Sequence, residues 1–297
     1  MNILITGAWQ QALEYTDRLK EKGHEVVFLQ YEKDSLPCEY EWVEGIIGNG
    51  IFLSHSVEKF TNLRYVQLTS AGYDRVPMDY IKEKGITIHN ARGVYSAPMA
   101  EYAAAGVLSL YKEQKSFLEN QKKHIWDKKR NLKELCGQTV CIVGCGSVGC
   151  ECAKRFQAFG CNITGVDLYE TGYEAFSCMY TMDRLKEALE KADIVVLTLP
   201  LTNETRHMMN KSTFASMKAG SVIVNIARGA LIKTEDLVEA LEEKLFGAVL
   251  DVFEEEPLGD SPLWDMEHVI ITPHNSFVGS GNNKRMSEVI INNLENV

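Results

Sequence analysis

The sequence lacks the features that mark membrane, secreted and fibrous proteins. No apolar stretch in its 297 residues is long enough to span a bilayer. The N-terminus, Met1 to Gly7, has neither the basic region nor the long apolar region of a secretory signal. No repeat of solenoid spacing and no low-complexity tract occurs. These absences predict a folded cytoplasmic protein without a membrane partner.

The sequence also lacks a cysteine pattern typical of disulfides or of a metal site. There are eight cysteines, but no pair has C-x-x-C spacing. Most of them lie in one strand–turn–helix stretch, namely Cys141, Cys145, Cys150, Cys152 and Cys161. The geometry for disulfides would be poor there, whereas reduced thiols can pack as small apolar side chains. No histidine lies near this cluster in sequence, so a bound metal is the less favoured alternative.

Basic residues are outnumbered by acidic ones. The chain has 31 Lys and Arg against 41 Asp and Glu, a net charge of −10. Such a field is unfavourable for nucleic acid or anionic lipid, although a local basic pocket could still hold a small anion. Apolar residues at 45% and charged residues at 24% are ordinary for a globular protein.

What the sequence does contain is an alternation of short apolar runs with helical patterns, which is typical of βαβ units and parallel sheets. The first series predicts strands at Asn2–Ile5, Glu25–Leu29, Glu44–Gly48, Tyr65–Leu68 and Ile86–His89, with helices near Gln10–Lys22 and Met78–Lys84. The second predicts strands at Thr139–Val143, Asn162–Val166, Asp193–Leu197, Ser221–Asn225, Gly247–Leu250 and His268–Ile271. The fold class is therefore α/β with parallel sheets.

The two series indicate two domains. Residues 1–95 form the first, completed by a C-terminal helix within 277–297, and residues 96–276 form a doubly wound, dinucleotide-binding domain. The second domain opens with an alanine-rich helix, Ala97–Lys112, which a charged, weakly patterned stretch follows up to Glu134. The last helix, Asn282–Asn296, is expected to cross back onto the first domain, so that two crossings form a hinge.

A glycine motif identifies the cofactor site. The strand Thr139–Val143 leads into Gly144-Cys145-Gly146-Ser147-Val148-Gly149 and a helix through Phe159. In G-x-G-x-x-G the first glycine permits a tight turn, the second lets the backbone approach a pyrophosphate, and the third lets the helix pack on the strand. The free N–H groups at the start of the helix attract the anion.

An acidic residue follows the motif at the end of the second strand of the series. Asp167 lies eighteen residues beyond Gly149, where its carboxylate can accept hydrogen bonds from the ribose hydroxyls of the cofactor. Leu168, Tyr169 and Glu170 supply no cation for a 2′-phosphate, which Asp167 itself would repel. The predicted cofactor is NAD rather than NADP.

Three later strands are each followed by a polar residue with catalytic potential. These are Arg228 after Asn225-Ile226-Ala227, Glu256 in the acidic run after Asp251, and His274 after Thr272-Pro273. Ligands bind at the carboxyl ends of strands in open α/β sheets, so these side chains are expected to converge beside the nicotinamide. A single histidine after a strand is more often structural, and an acidic run is more often a solvated surface.

In combination, these residues resemble the D-isomer-specific 2-hydroxyacid dehydrogenase family over nearly the whole chain. The matching stretches are Ser70-Ala71-Gly72-Tyr73-Asp74, Asn90-Ala91-Arg92-Gly93-Val94-Tyr95-Ser96, Met99-Ala100-Glu101, the glycine loop, Leu199-Pro200-Leu201-Thr202 and the three segments above. The resemblance implies a flavodoxin-like substrate domain and a Rossmann NAD-binding domain, with the active site in the cleft between them. It also implies a catalytic triad of Arg228, Glu256 and His274.

The remaining site residues follow from the same resemblance. Those expected to bind the cofactor are Gly144, Gly146, Ser147, Val148, Gly149, Asp167, Pro200, Ala227, Asp251 and Met99, with Asp251 meeting the nicotinamide carboxamide. The backbone N–H groups of Ala71 and Gly72 match the loop that receives the substrate carboxylate. Glu256 is chosen within its acidic run because the family's catalytic Glu directly precedes a proline, here Pro257, five residues after the Asp.

The chemistry of a 2-oxo acid suits these roles. Arg228 offers a planar fork for the carboxylate, and His274 can give a proton in reduction and take it back in oxidation. Glu256 would orient the imidazole and favour its protonated form. The predicted function is therefore NAD-dependent interconversion of a small 2-oxo acid and a D-2-hydroxy acid. Formate oxidation is disfavoured, because related formate dehydrogenases have Gln in place of this Glu.

Alternative interpretations stay open for the substrate and for the class of protein. Phosphoglycerate needs cations for its phosphate, but the segment Gly48-Asn49-Gly50-Ile51-Phe52 is uncharged, which favours a small or apolar substituent and leaves D-3-phosphoglycerate dehydrogenase as the alternative enzyme. Trp9 either lines the same pocket or simply packs in the core. From another class, NAD-sensing corepressors share the fold, but they usually carry extended tails.

The resemblance also predicts a homodimer. The helix from Ala97 and the segment around Trp126 match the region where family members dimerise. Many phosphoglycerate dehydrogenases carry a C-terminal regulatory domain, which the 297 residues of this sequence do not contain.

Overall fold

The computed structural model describes residues 1–169 and 174–295. Glu170 and the predicted helix end at Asn296 therefore lie outside the described residues. The chain forms two compact units, one of Met1–Tyr95 with Gly279–Val297 and the other of Ser96–Val278.

The first unit contains a five-stranded parallel sheet of order β2-β1-β3-β4-β5. Its strands are β1 (Asn2–Thr6), β2 (Glu25–Leu29), β3 (Gly45–Gly48), β4 (Tyr65–Leu68) and β5 (Thr87–His89). Its helices are α1 (Ala12–Glu21), α2 (Met78–Glu83) and, at the far end of the chain, α9 (Asn282–Leu294). This is the flavodoxin-like strand order.

The C-terminal helix α9 belongs to the core of the first unit. Ile290 and Ile291 are buried in one cluster with Trp9 and the β1 side chains Ile3 and Ile5. The Trp9 indole Nε1 donates a hydrogen bond of 2.9 Å to Ser287 Oγ of α9. Because Trp9 is 1% exposed, it packs within this core and does not line a pocket.

The second unit contains a seven-stranded parallel sheet of order β12-β11-β10-β9-β6-β7-β8. Its strands are β6 (Thr139–Val143), β7 (Asn162–Asp167), β8 (Cys178–Thr181), β9 (Ile194–Leu197), β10 (Val222–Asn225), β11 (Gly247–Leu250) and β12 (Val269–Ile271). Its helices are α3 (Ser96–Tyr111), α4 (Gln114–Lys122), α5 (Ser147–Ala158), α6 (Leu185–Lys191), α7 (Lys211–Ser216) and α8 (Thr234–Glu243). Its central strands are continuous apolar runs, as is typical of a parallel sheet that is buried on both faces.

Two elements of the second unit were not predicted. The edge strand β8 has a single buried residue, Tyr180, so it carries no continuous apolar run that a sequence pattern could reveal. Helix α4 has no buried residue and lies in the charged stretch that follows α3. The prediction of six strands for this sheet was therefore one strand short.

The alanine-rich helix α3 is mostly covered within its own unit. Ala100, Ala103 and Val107 are fully buried, in one cluster with residues of β6 and β10. The apolar surface of α3, which we expected at a dimer interface, is therefore largely buried within its own chain. The exposed apolar side chains lie farther along, with Leu118 at 54% exposed and Trp126 at 92%.

All eight cysteines are free thiols. Burial raises the pKa of Cys141 and of Cys152 to about 12, so these thiols act as small apolar side chains. Between residues 1 and 295, leaving aside 170–173, no three His, Cys, Asp or Glu side chains are grouped to hold a metal ion. Within the same ranges no helix combines the length and the apolar character needed to cross a membrane.

Candidate functional site

The glycine loop joins β6 to α5 through close backbone contacts. Gly144 has a φ of 97°, and a Cβ there would lie 2.6 Å from the backbone nitrogen of Leu199. A Cβ on Gly149 would lie 2.1 Å from the carbonyl oxygen of Gly144. Only glycine fits either position, so the loop can adopt the tight turn from which α5 starts.

Asp167 ends β7 next to this loop. Its Oδ2 accepts a hydrogen bond of 2.7 Å from the backbone N–H of Cys145, and its Oδ1 accepts one of 2.7 Å from that of Leu168. The carboxylate is thus held against the glycine loop in a half-exposed position. Each of its oxygens keeps a further lone pair for a ligand.

Thr198 supports the loop from β9 and was not predicted from the sequence. Its hydroxyl donates to the carbonyl oxygen of Gly144 at 2.5 Å, with a longer approach of 3.3 Å to that of Val143. The signal for it was a polar residue directly after the buried apolar run of β9, the same pattern that singled out Arg228 and His274.

The loop fits a dinucleotide. A Cβ on Gly146 would meet nothing within 4 Å, so the space beside the loop is open. Helix α5 begins at Ser147 without a side-chain cap, and its first N–H groups have no acceptor inside the helix. The N–H groups of Ser147, Val148 and Gly149 can therefore bind a pyrophosphate, and Asp167 can bind the adenosine ribose.

The three other predicted segments follow the adjacent strands β10, β11 and β12 at one edge of the sheet. They are joined by backbone hydrogen bonds. The N–H of Asp251 donates to the carbonyl oxygen of Asn225 at 3.0 Å, and the N–H of His274 donates to that of Asp251 at 2.8 Å. The structure thus brings the segments that carry Arg228, Glu256 and His274 together.

Arg228 lies in a turn that fully buried Asn225 holds in place. The Asn225 amide donates to the carbonyl oxygen of Arg228 at 2.9 Å, and its Oδ1 accepts from the N–H of Ala227 at 3.1 Å. After the turn, Gly229 approaches the next loop so closely that a Cβ would lie 1.8 Å from the carbonyl carbon of Phe253. This contact positions the half-buried Arg228 beside the loop that carries Glu256.

His274 and Glu256 form a side-chain pair. His274 Nδ1 lies 2.8 Å from Glu256 Oε2, and Glu256 Oε1 accepts a hydrogen bond of 3.0 Å from the N–H of Phe253. The second oxygen contact fixes the carboxylate, which in turn orients the imidazole. The ring is 40% exposed, so its other nitrogen, Nε2, is available to a ligand.

Asp251 is bonded to the loop that follows β12. Its side chain is fully buried, and its carboxylate accepts hydrogen bonds from Thr272 Oγ1 at 2.6 Å, from the N–H of Asn275 at 2.7 Å and from that of Ser276 at 2.8 Å. All three bonds come from the loop after β12, and the contact of Asp251 with the nicotinamide carboxamide stays a prediction. Asp251 clamps the loop from which His274 projects.

Tyr102 of α3 extends this clamp. Its hydroxyl is hydrogen-bonded to Thr272 Oγ1. Since the Thr272 hydroxyl donates to Asp251, the tyrosine is the donor in this pair. Burial raises the pKa of Tyr102, and this favours the protonated phenol that donates.

Glu254, two residues before Glu256, has a structural role of its own. Its Oε2 accepts hydrogen bonds from the N–H of Thr234 at 2.8 Å and from the Thr234 hydroxyl, at the first turn of α8, and its Oε1 lies 2.6 Å from His207 Nε2. Burial alone would raise the pKa of Glu254, but these hydrogen bonds outweigh burial and lower it. Glu254 is thus a bonded carboxylate and not a solvated surface charge.

The first unit contributes a loop with free donors. After β4, the carbonyl oxygens of Ala71 and Gly72 accept hydrogen bonds from Asn90 Nδ2 at 2.6 Å and from Ser70 Oγ at 2.9 Å. In the part of the chain that the structure describes, neither Ala71 N–H nor Gly72 N–H has an acceptor. These donors are available at the edge of the sheet, as expected of a carboxylate-binding loop.

The remaining predicted cofactor residues lie at different depths. Ala227 is buried and its carbonyl oxygen accepts from Arg228 Nη1 at 2.7 Å. Pro200 is exposed after β9, and Met99 is half-buried in the first turn of α3. Asn225, Thr272 and Tyr102 were missed by the sequence reasoning. The first two are polar residues at the ends of buried strands, whereas nothing in the sequence relates Tyr102 to Thr272.

We expect Asp251→Asn to lower the free energy of unfolding by roughly 2 to 3 kcal/mol, because an amide group would face a backbone N–H that needs an acceptor. Urea unfolding of the full chain followed by circular dichroism measures this change.

The control for this prediction is Glu255→Gln. Glu255 is exposed and four residues from Asp251 in the same loop, and its substitution should stay within about 0.5 kcal/mol of the wild type. Equal stability of the Asp251 variant and this control would contradict the assignment of Asp251 as a clamp.

Comparison with known proteins agrees with this geometry. Residues 104–276 match the family model described as D-isomer specific 2-hydroxyacid dehydrogenase, NAD binding domain. The match covers the glycine loop, Asp167 and the three strand-end segments, all of which lie in the second unit.

Relatives and solved structures extend the likeness beyond this domain. A hydroxypyruvate reductase of Blautia hydrogenotrophica is 35% identical over 250 residues, which cover 80% of this chain and 76% of that protein. A D-3-phosphoglycerate dehydrogenase of Methanocaldococcus jannaschii is 38% identical over 221 residues, which cover 73% of this chain but 42% of that protein. The match thus covers less than half the length of that relative.

A solved structure shares the fold over nearly the full chain. The D-lactate dehydrogenase of Aquifex aeolicus, solved with NAD and lactic acid, has a TM-score of 0.78 and 25% identity, and the match covers 98% of this chain and 94% of that one. The second unit is accordingly a Rossmann NAD-binding domain, and the chain belongs to the D-isomer specific 2-hydroxyacid dehydrogenase family.

Proposed function

We propose that this protein reduces a small 2-oxo acid to the D-2-hydroxy acid, and catalyses the reverse oxidation, with NAD as cofactor. The observation that carries the proposal is the pair of His274 Nδ1 and Glu256 Oε2, 2.8 Å apart, at the sheet edge where Arg228 also lies. A half-exposed imidazole that a carboxylate orients is suited to proton transfer.

Arg228 is proposed to bind the substrate. Its guanidinium can form two parallel hydrogen bonds with a carboxylate, which a point charge such as lysine cannot do. The free N–H groups of Ala71 and Gly72 are proposed to receive the same carboxylate.

His274 is proposed to move the proton. Because Glu256 accepts a hydrogen bond from Nδ1–H, the other nitrogen, Nε2, can donate a proton to the carbonyl oxygen in reduction and accept it from the hydroxyl in oxidation. Glu256 is proposed to act through His274, whose Nδ1 it contacts.

NAD, when bound, supplies or accepts the hydride. Ser147, Val148 and Gly149 would hold its pyrophosphate, and Asp167 would accept hydrogen bonds from its adenosine ribose. The negative charge of Asp167 opposes a 2′-phosphate, so we expect NADH to be used in preference to NADPH.

Two other functions remain as alternatives. D-3-phosphoglycerate dehydrogenase is supported by the 38% identical relative of that name, whereas the uncharged segment Gly48–Phe52 argues against a phosphorylated substrate. An NAD-sensing corepressor would use the same fold mainly for binding. Negligible turnover together with binding of a partner peptide would support that reading.

A cytoplasmic homodimer is proposed as the working form. Exposed apolar side chains cluster at α4 and beyond it, with Leu118 54% exposed, Ile125 51% and Trp126 92%. A surface of this kind favours burial against a second copy of the chain.

We expect His274→Gln to reduce kcat for 2-oxo acid reduction by about 10²–10⁴-fold, because the proton donor is lost while the fold is kept. The measurement is the loss of NADH absorbance with glyoxylate, hydroxypyruvate, pyruvate, 2-oxoisocaproate, phenylpyruvate and 3-phosphohydroxypyruvate, each repeated with NADPH.

The matched control is His207→Gln. His207 also pairs with a glutamate, at 2.6 Å, and also has a left-handed backbone, with a φ of 53° against 50° for His274. Its variant should keep near-wild-type kcat. Equal losses in both variants would show that the effect of His274 is structural, and failure of the wild type to reduce any of these acids would remove the proposed function.

The dimer is tested by light scattering after size-exclusion chromatography. We expect the mass of two chains of 33.4 kDa for the wild type and a concentration-dependent shift towards the monomer for Trp126→Ala, because truncation removes a large part of the apolar contact. A monomeric wild type at micromolar concentration would contradict the proposal.

A further inference from the structure

The strand order of the first unit locates a crevice at the edge of its sheet. In the order β2-β1-β3-β4-β5 the chain moves from β1 to one side and then continues from β3 on the other. Ligands of open α/β sheets bind outside the carboxyl ends of the strands at such a reversal. Here this point lies between the end of β1 at Thr6 and the end of β3 at Gly48.

The carboxylate of Glu32 bridges this crevice. Its Oε1 accepts hydrogen bonds from Thr6 Oγ1 at 2.8 Å and from the N–H of Asn49 at 2.6 Å, and its Oε2 accepts one of 2.7 Å from the N–H of Gly50. It therefore contacts both strand ends. The N–H groups of Asn49 and Gly50 are the backbone donors that an anionic ligand would otherwise use here, and they are already bonded to a negative charge.

Two other polar groups, on Asn49 and Arg75, lie near the Glu32 carboxylate, and neither forms an ion pair with it in the part of the chain that is described. Asn49 Oδ1 is buried and has no hydrogen-bond partner within the described ranges, so it is a further acceptor at this edge. The exposed Arg75 lies close by, its Cδ being 3.5 Å from a Cβ built on Gly50. No ion pair within 4.0 Å joins it to Glu32 in the part of the chain that is described.

The crevice adjoins the loop that is proposed to bind the substrate carboxylate. Strand β4 pairs with β3, so the loop with Ala71 and Gly72 leaves the sheet at the same edge as the loop with Asn49 and Gly50. A 2-oxo acid held at Ala71 and Gly72 would direct its substituent within reach of Glu32, because neighbouring parallel strands lie only ~5 Å apart.

We propose that Glu32 selects the substituent of the substrate and excludes 2-oxo acids whose C3 group carries a phosphate, sulfonate or second carboxylate. Hydrogen, methyl and hydroxymethyl substituents are neutral and meet no such repulsion. The inference rests on the proposed function and deepens it, since it names the substrate class of the same site.

The test is the selectivity of Glu32→Gln. The ratio of kcat/KM for 3-phosphohydroxypyruvate to kcat/KM for hydroxypyruvate should rise about tenfold, because one like charge at this separation is removed. Glu32→Asp keeps the charge and should retain wild-type selectivity. An unchanged ratio in Glu32→Gln would overturn the proposal.

Glu44→Gln is the matched control. Glu44 is a half-buried carboxylate of the same unit that also accepts a backbone hydrogen bond, from the N–H of Asn2 at 2.8 Å. It lies at the opposite edge of the sheet, where β1 and β3 begin. The selectivity ratio should not move in this variant, and an equal rise would mean that net charge alone governs the ratio.

A binding measurement separates this inference from the proposed function and does not depend on the folding of a variant. Calorimetry of the wild-type protein saturated with NADH should give at least about tenfold tighter binding of D-glycerate than of D-3-phosphoglycerate, and no hydride transfer can occur in these complexes. Tighter binding of the phosphorylated acid would overturn the role of Glu32. If the wild-type protein binds D-glycerate more tightly but catalyses no turnover, only the proposed dehydrogenase function is overturned.

Discussion

A fully buried carboxylate, Asp251, determines where the acid–base group of this protein stands. Removing such a charge from water is costly, and three hydrogen bonds from Thr272, Asn275 and Ser276 compensate for it. These bonds fix the backbone on both sides of His274, which adopts a left-handed conformation with a φ of 50°. A non-glycine residue is held in that region only where its surroundings determine it. The position of the His274 backbone is thus fixed, and Glu256 orients the imidazole that projects from it.

All groups of the NAD-binding domain that are proposed to take part in the reaction lie at this same edge of its sheet. Gly149 and Gly229 allow backbone approaches that no side chain would permit, and so bring the cofactor loop and the Arg228 turn close to their neighbours. Glu254 and Glu256 are both held by backbone N–H groups, yet one stabilises a helix start while the other orients His274. Function therefore depends on which partner each carboxylate meets.

Much of this arrangement can be predicted from the sequence. The parallel sheets and the glycine loop follow from apolar runs and glycine spacing, because these are local patterns. The pairing of Glu256 with His274 was implied only by the resemblance to the family, in which a glutamate precedes a proline such as Pro257. The edge strand β8 and helix α4 bury too little to leave such a pattern. The hydrogen bonds of Asp251 to the loop after β12 were not predicted, because their partners lie 21 to 25 residues away in the sequence. Glu32 was not singled out in the sequence, because its contacts join two strand ends that meet only in the folded sheet.

The most direct measurement of the central claim is a crystal structure with NADH and oxamate, an unreactive analogue of a 2-oxo acid. The account predicts that Arg228 contacts the oxamate carboxylate in two hydrogen bonds and that His274 Nε2 lies about 2.7 to 3.2 Å from the carbonyl oxygen that stands in for the reacting one. Oxamate bound away from Arg228, or an imidazole whose Nε2 faces away from it while Glu256 stays bonded to Nδ1, would contradict the account.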